Sequence, residues 1–223
     1  MKSIVPVCIC LVLAFFAIGM MSHRTDGNVL RSDGLGVATP STSAGSILYL
    51  YSRPETFQNL PSDNVPADSL VFLQGQYQVE LAAKSAGSQW VPLGRKLDYG
   101  IFFLRVSSTS RNWLEIVVDE STGRSLWADA YELEYRDWAT FLTTINSVER
   151  LDMDSNPLRT GPTLESPEIS FDGNRECLEV LSVTDEWMEV RSSEICSDVA
   201  LVSHAWIRWR DGSNLLITYN LLS

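Results

Sequence analysis

Apolar and polar residues alternate in short runs from residue 47 onward, and turn residues separate these runs. A period of two is the pattern of a half-buried β-strand. The runs at residues 47–51, 101–106 and 113–118 therefore predict strands, the last two of them paired as a hairpin. Runs this closely spaced favour a meandering antiparallel barrel or sandwich over βαβ units. The chain is predicted to be mainly β.

One segment departs from this pattern. Between residues 137 and 147 apolar side chains recur at steps of three and four, at Trp138, Phe141, Leu142 and Ile145. This spacing predicts a short amphipathic helix whose apolar stripe packs between two domains. Trp138 belongs to the stripe, so we expect it to be a core residue.

Two hairpin sequences repeat along the chain. Residues 104–117 and 178–191 align without a gap and share Leu, Val, Ser, Trp and Glu at matched positions. A repeat of this kind indicates that one structural unit is used twice. Because Trp113 and Trp187 hold the same position, we expect them to fill two equivalent cores.

The second hairpin belongs to a longer pattern. Pro157-Leu-Arg-Thr-Gly-Pro162 precedes it, and Ala205-Trp-Ile-Arg-Trp209 follows it. This order resembles the bacterial SH3-like domain, whose characteristic positions are matched by Leu158, Arg159, Pro162, Val180, Leu181, Trp187, Val190, Trp206 and Ile207. Ala205 stands where that family usually has Gly, and the loop at residues 192–204 is longer. No loop-borne function is therefore carried over.

A diverged relative of the same unit is indicated earlier in the chain. Leu50-Tyr-Ser-Arg-Pro54 is its opening segment, residues 104–118 are its hairpin, and Leu126-Trp127 stands in place of Trp206-Ile207. A long insertion after Pro54 separates the opening from the hairpin. The tandem arrangement is similar to uncharacterised secreted proteins of Bacteroidetes-type bacteria. The resemblance implies two small SH3-like antiparallel β-barrels joined by a short amphipathic helix.

These patterns divide the chain into five parts. Residues 1–22, with Lys2 before a long apolar run, are predicted to be a signal peptide or an N-terminal membrane anchor. Residues 23–46, rich in Ser, Thr and Gly, are predicted to be a flexible linker. Residues 47–136 are the diverged SH3-like domain, 137–155 the bridging helix and linker, and 156–223 the second SH3-like barrel. We expect export to the periplasm or cell surface, with membrane contact only through an uncleaved N-terminal segment.

Charge and cysteine content narrow the choice of partners and compartment. The net charge is −11 and the 17 basic residues are scattered, which argues against nucleic acid as a partner. Cys177 and Cys196 are the two cysteines that follow the apolar N-terminal run, so in an oxidising compartment they are a candidate disulfide. Two unpaired cysteines are the alternative.

The sequence offers little support for catalysis, a metal or a cofactor. His204 is the one histidine of the predicted folded part, and no Gly-x-Ser-x-Gly motif is present. The stretch Asp152-Met-Asp154-Ser-Asn156 begins like a calcium loop, but Pro157 stands where Gly is needed. The carboxylates that could serve a glycoside hydrolase lie at turns or at the predicted helix start: Asp119, Glu120, Glu132, Glu134 and Asp137. We predict no enzyme, no metal and no cofactor.

Aromatic residues remain as candidate ligand contacts. Trp209 lies between Arg208 and Arg210, and Tyr49 and Tyr51 alternate with polar residues on a predicted strand. We expect these five residues to include the ligand contacts, through exposed aromatic rings and the arginines beside them. The resemblance implies an exported binding or scaffolding module of the cell envelope that recognises peptidoglycan or a partner protein. A structural subunit of an envelope complex and a hydrolase with carboxylates between the modules are the alternatives.

Overall fold

The computed structural model describes residues 34–52, 65–82, 89–171, 176–196 and 202–221. These residues form sixteen β-strands and a single α-helix, and every strand pairing is antiparallel. The prediction of a mainly β chain is confirmed. The predicted signal peptide or anchor lies outside the described residues. In the part that is described, none of the helical segments has the length and apolar character needed to cross a membrane.

The elements follow one another as short strands joined by turns. The first nine strands are β1 Gly36–Pro40, β2 Ile47–Leu50, β3 Asp68–Gln74, β4 Val79–Leu81, β5 Gly94–Lys96, β6 Ile101–Ser110, β7 Trp113–Asp119, β8 Arg124–Asp129 and β9 Leu133–Asp137. After the helix α1 Trp138–Leu142 come β10 Ser147–Arg150, β11 Leu178–Thr184, β12 Trp187–Ser192, β13 Ala205–Arg208, β14 Arg210–Asp211, β15 Asn214–Leu215 and β16 Ile217–Asn220. Short 3-10 turns occupy Leu97–Tyr99 and Ala130–Glu132.

Two larger sheets contain most of these strands. The N-terminal sheet has the order β8-β7-β6-β1-β9, with β5 also paired to β6, and the C-terminal sheet has the order β13-β12-β11-β10-β16. The five-strand orders are equivalent, strand for strand along the chain. Two smaller sheets are β2-β3-β4 and β14-β15. No described ladder closes either larger sheet into a barrel.

The repeated hairpins have the same local irregularities in both sheets. The β6–β7 pairing shifts register between Val106 and Ser108, and the β11–β12 pairing shifts between Val180 and Ser182, as at a β-bulge. Positive φ angles occur at Arg111 (53°) in the first turn and Asp185 (46°) in the second. The register shifts and the positive φ angles fall at matched positions of the alignment, so the two hairpins share their backbone geometry as well as their residues.

The prediction of a flexible linker at residues 23–46 is wrong for residues 36–40, which form β1. This strand pairs with both β6 and β9, and its Val37 and Ala38 are buried. Gly36 brings β1 close to β9, because a Cβ there would lie 2.1 Å from the carbonyl oxygen of Arg136. The apolar part of β1 is too short to stand out in a Ser/Thr-rich segment, and strand pairing supplies the partners that its composition does not reveal.

The predicted helix is shorter than its apolar spacing suggested. It runs over Trp138–Leu142 instead of residues 137–147, with Asp137 as N-cap through its bond from the Thr140 N–H at 2.7 Å. The Thr143 hydroxyl donates to the carbonyl of Ala139 at its end. Ser147–Arg150 instead form β10, a strand paired in register with β16. Long-range pairing therefore overrides the helical period in the second half of the segment.

The helix connects the cores of the two sheets. Trp138, Phe141 and Leu142 are buried in the C-terminal core, as predicted for the apolar stripe. Val37 of β1 belongs to the same cluster, and Phe103 of β6 packs against Phe141 with ring centroids 5.2 Å apart. A second cluster of apolar residues fills the space between the N-terminal sheet and the β2-β3-β4 sheet. Phe103 and Val37 thus place part of the N-terminal sheet against the C-terminal core.

A disulfide joins Cys177 and Cys196, whose Cα atoms are 6.2 Å apart. It closes a loop of roughly 20 residues, for which the chain-entropy model gives a stabilisation of ~3 kcal/mol. We expect a Cys177→Ala/Cys196→Ala variant to lose about this much free energy of unfolding in urea titrations. Wild-type protein unfolded with and without a reductant provides the control. Equal unfolding midpoints under the two conditions would contradict the expectation.

Candidate functional site

The candidate site is on the outer face of the C-terminal sheet, away from its core. Side chains alternate across a strand, and Met188 of β12 and Ile207 of β13 are fully buried on the core side. Trp187 and Glu189 therefore point outward, and Trp206 lies opposite Glu189 in the β12–β13 pairing. Both tryptophans are partly exposed. We call Trp187, Glu189, His204 and Trp206 the tryptophan face.

A carboxylate and an imidazole in contact occupy the middle of the tryptophan face. One carboxylate oxygen of Glu189 accepts a hydrogen bond from the Ser182 hydroxyl at 2.8 Å, and the other contacts Nε2 of His204. The bond from Ser182, followed by the bond from His204, lowers the pKa of Glu189. Glu189 is therefore an ionised acceptor, held in position from two sides, next to both indole rings.

Arg159 closes one edge of the tryptophan face. Its backbone N–H donates to the carbonyl of Trp206 at 2.9 Å, and the N–H of Trp206 donates back at 2.8 Å. The guanidinium group binds the carbonyl of Ser166 at 2.8 Å and Glu168 at 3.0 Å. The backbone of Trp206 is therefore hydrogen-bonded to Arg159 on one side and paired with β12 on the other.

Arg208, one of the predicted ligand contacts, also lies on this outer side. Its guanidinium group binds Glu186 at 2.8 Å and Asp211 at 3.0 Å. The hydrogen bond from Arg208, together with one from the Gly212 N–H, lowers the pKa of Glu186. Arg208 therefore links the β11–β12 turn to the end of β14.

The N-terminal sheet has two tryptophans and a glutamate at the equivalent positions, but there the tryptophan rings are buried. Trp113, Glu115 and Trp127 hold the equivalent positions, and Tyr51 bridges Trp127 through two backbone hydrogen bonds of 2.8 Å, as Arg159 bridges Trp206. The Tyr51 ring packs edge-on against Trp113 with centroids 5.1 Å apart, and all three aromatic residues are buried. The bridging residue is Tyr51 in the N-terminal half, where the tryptophans are buried. It is Arg159 in the C-terminal half, where the equivalent tryptophans are partly exposed.

This pairing corrects one position of the sequence alignment. Trp127 lies opposite Glu115, and Trp206 lies opposite the equivalent Glu189, so Trp127 matches Trp206. The resemblance had matched Leu126 with Trp206. The register shift is one residue, which is enough to exchange the faces of the strand.

The prediction that Trp113 and Trp187 fill two equivalent cores is wrong for Trp187, whereas the burial of Trp113 is confirmed. Trp113 is buried in the separate cluster with Tyr51 and Trp127, and Trp187 is partly exposed. The neighbouring positions Leu114 and Met188 supply the core side chains. The sequence does indicate this arrangement, because Met188 and Val190 are apolar and two residues apart, and residues two apart share a face of a strand. Trp187 and the polar Glu189 therefore belong to the opposite face.

Trp209 was predicted as an exposed contact, and this prediction is also wrong. It is 2% exposed, and its indole Nε1 donates to the carbonyl of Asp185 at 2.9 Å. Its ring packs against Trp138, with centroids 5.9 Å apart, and the Arg210 guanidinium lies over it at 4.6 Å. Ala205, Ile207 and Trp209 are spaced two residues apart and are all buried, so Trp209 lies on the core side, opposite to Trp206 and Arg208.

The predicted tyrosine contacts lie in the N-terminal half. Tyr49 is 42% exposed on β2, whereas Tyr51 is buried in the aromatic cluster. Burial, reinforced by the charges of Glu132 and Asp129, raises the pKa of Tyr51. Tyr49 remains an exposed aromatic residue, and Tyr51 has a packing role.

The carboxylates considered for hydrolysis have structural partners. Asp119 accepts hydrogen bonds from the hydroxyls of Ser121 at 2.7 Å and Thr122 at 2.8 Å, and the Ser121 bond is the main cause of its lowered pKa. Glu120 forms a two-pronged ion pair with Arg105 at 3.0 and 2.9 Å. These two acids stabilise the turn between β7 and β8 and the neighbouring strand.

The remaining acids are used in a similar way. Glu134 pairs with Arg136 at 2.7 Å, and Asp137 caps α1. Burial and the nearby Asp129 raise the pKa of Glu132. Asp152 accepts from the N–H groups of Asp154 and Ser155, which folds the predicted polar linker into a turn. Over the described ranges, no group of His, Cys, Asp and Glu residues has a metal-binding arrangement.

Together these observations define a mainly β protein with a candidate site in which two partly exposed indole rings lie beside a paired carboxylate and imidazole. Such a face can stack against a flat or apolar ligand while Glu189 accepts hydrogen bonds from it. The chain matches no protein-family model, no curated protein and no solved structure in the comparisons made.

Proposed function

We propose that this protein is an exported, non-enzymatic binding or scaffolding module of the cell envelope, and that it recognises peptidoglycan or a partner protein. The tryptophan face carries the proposal, because two partly exposed indole rings flank an ionised acceptor on one pair of strands. Aromatic rings with adjacent polar groups are the usual means of gripping sugars and extended peptides. The apolar N-terminal run and the disulfide support a location in the periplasm or at the cell surface.

We further propose that the two repeats are SH3-like units. Support comes from their equal strand orders, from the matched bulges and from the bridges of Tyr51 and Arg159 to the equivalent tryptophans. Leu50 and Leu158, which precede the bridging residues, are both buried. The sequence pattern that resembles the SH3-like opening therefore has one structural role in each half.

A binding role agrees better with the site than a hydrolytic one. Glu189 is the acid of the tryptophan face, and its two oxygens already accept from Ser182 and contact His204. A hydrolase of the kind considered needs two carboxyl groups facing one substrate bond. Asp119 serves a turn, Asp137 caps the helix, and Glu120 and Glu134 form ion pairs, as set out above.

A second candidate function, a structural subunit of an envelope complex, has one observation in its favour. Ile47 and Tyr49 of β2 and Leu73 of β3 are exposed on one side of the β2-β3-β4 sheet. Exposed apolar side chains that share a face are typical of surfaces that bury against another chain.

We expect full-length mature protein to co-sediment with insoluble peptidoglycan, and we expect Trp187→Ala and Trp206→Ala each to weaken this retention about tenfold. The expected loss corresponds to ~1.4 kcal/mol per ring, a modest value for aromatic contacts at a binding face. Tyr77→Ala is the matched control, because Tyr77 is 88% exposed and lies on the other half of the chain.

Equal retention of the tryptophan variants and wild type would contradict the assignment of the site. If wild-type protein does not sediment, the peptidoglycan ligand is excluded. In that case cross-linking in the envelope, with the same variants, tests the partner-protein form of the proposal.

A further inference from the structure

The bridging residues Tyr51 and Arg159 hold the same place in the two repeats. Each exchanges a pair of backbone hydrogen bonds with the tryptophan that lies opposite the glutamate. In the N-terminal half this tryptophan is Trp127, and both bonds are 2.8 Å long. In the C-terminal half it is Trp206, and the bonds are 2.9 and 2.8 Å long. The two side chains therefore start from equivalent backbone positions and can be compared directly.

In the N-terminal half the ring of Tyr51 covers the tryptophans. Its centroid lies 5.1 Å from that of Trp113, with an angle of 79° between the ring planes. Tyr51, Trp113 and Trp127 are 8%, 5% and 8% exposed. An edge-to-face contact at this distance is a favoured arrangement of two aromatic rings. The first repeat thus shows how this arrangement of tryptophans accommodates a tyrosine ring.

The side chain of Arg159 extends away from the equivalent tryptophans. Its guanidinium group donates to the carbonyl of Ser166 at 2.8 Å and to Glu168 at 3.0 Å. Glu168 is bridged to the backbone of Arg159 on the edge opposite to Trp206. Within the described ranges, neither Trp187 nor Trp206 has an aromatic contact, and both are partly exposed. The surface that a tyrosine covers in the first repeat is therefore not covered by a described ring in the second.

The glutamate beside the tryptophans is held in a similar way in both halves. Glu115 accepts hydrogen bonds from the hydroxyls of Ser107 and Ser125, each at 2.9 Å and each on a different carboxylate oxygen. Glu189 likewise has one side-chain partner on each carboxylate oxygen. The bridging side chain therefore distinguishes the two sites, because the chain supplies an aromatic ring in one of them and an arginine in the other.

We propose that the tryptophan face binds a tyrosine side chain of a partner protein, with the phenol ring against Trp187 as the ring of Tyr51 lies against Trp113. The edge of the incoming ring meets the indole, and the contact removes apolar surface of both rings from water. Because Arg159 already takes the backbone position of Tyr51, the partner supplies the ring and not a bridging strand. This inference rests on the proposed function in its partner-protein form and names the group that the site takes.

The test is a titration of the full-length mature protein with N-acetyltyrosinamide, followed through the indole N–H signals in NMR spectra. N-acetylleucinamide is the uncharged aliphatic match. We expect saturable binding of the tyrosine amide, about fivefold tighter than that of the leucine amide, which is the factor that one aromatic pair contributes. The signals that shift are expected to be those that Trp187→Phe and Trp206→Phe remove.

Two substitutions of Arg159 test the comparison between the repeats. Arg159→Tyr introduces the residue of the N-terminal half, so the ring of the chain itself competes with the ligand at the high effective concentration of a tethered group. We expect binding of N-acetyltyrosinamide to weaken by about tenfold or more, and acrylamide quenching of the tryptophan fluorescence to fall. Arg159→Ala loses the same contacts with Ser166 and Glu168 and adds no ring, so it should keep the preference for the tyrosine amide.

Three results would overturn the inference: equal affinity for the two amides, binding unchanged by Trp187→Ala, and wild-type affinity in the Arg159→Tyr protein. The comparison of the two amides uses the wild-type protein and does not depend on the folding of any variant. If co-sedimentation or cross-linking depends on the tryptophans but the two amides bind equally, the tyrosine ligand alone is rejected. If neither of those assays depends on the tryptophans, the proposed function is rejected as well.

Discussion

Replacement of Glu176 by Ala is expected to lower the free energy of unfolding by about 3–5 kcal/mol, because it leaves the charge of Arg150 buried without its partner. The side chains of Arg150 and Glu176 are only 2% and 3% exposed. The Arg150 Nε donates to the two carboxylate oxygens of Glu176 at 2.8 and 3.0 Å, and Nη1 donates to the carbonyl of Asn156 at 2.8 Å.

The position of this ion pair explains the size of the expected loss. Arg150 ends β10, the strand inserted between β11 and β16, and Glu176 directly precedes the disulfide residue Cys177. The Asn156 side chain continues the network, since its Nδ2 donates to the carbonyl of Arg208 at 2.8 Å. Loss of the Glu176 carboxylate thus affects the junction of three strands.

Urea unfolding measures the effect, and a second variant separates charge from volume. Arg150→Met/Glu176→Leu removes both charges and keeps apolar bulk, so we expect stability close to or above that of the wild type. Glu179→Ala, which removes an exposed partner of Arg191, is the control and should change little. A Glu176→Ala protein as stable as the Glu179→Ala protein would contradict the expectation.

Trp209→Ala is expected to destabilise the protein by about 3–5 kcal/mol, the usual cost of truncating a buried aromatic side chain. The substitution removes the ring that packs on Trp138 and also the hydrogen bond from the indole to Asp185. Because Asp185 has a positive φ in the β11–β12 turn, Trp209 also fixes the turn that presents the adjacent Trp187.

Thermal and urea unfolding of Trp209→Ala and Trp209→Phe test this expectation. The Phe variant keeps most of the apolar contact and loses the hydrogen bond, so a loss of ~1–2 kcal/mol is expected. Trp187→Ala should cost less than Trp209→Ala, since Trp187 is partly exposed. If Trp209→Ala has the same free energy of unfolding as the wild type, the burial of this ring is contradicted.

The mainly β class follows from both sequence and structure. Each repeated hairpin is encoded locally, by alternating residues around a polar turn, and therefore appears at its predicted place. The position of the helix start is local too, because Asp137 caps it with its own side chain. Cys177 and Cys196 could be named as a candidate pair from their number, but the bond depends on the fold, which brings their Cα atoms to 6.2 Å.

The sequence by itself determined those features that depend on neighbouring residues: the hairpins, the helix start and the repeat of residues 104–117 in residues 178–191. Only the tertiary structure decided which face of each strand is covered. Tyr51 lies over Trp113, whereas Arg159 leaves the equivalent Trp187 partly exposed, and Trp209 is enclosed by residues distant in the chain. Likewise β1 is a strand because β6 and β9 pair with it. Burial is a property of contacts between distant segments, so a local pattern gives the spacing of the side chains and leaves their surroundings to the fold.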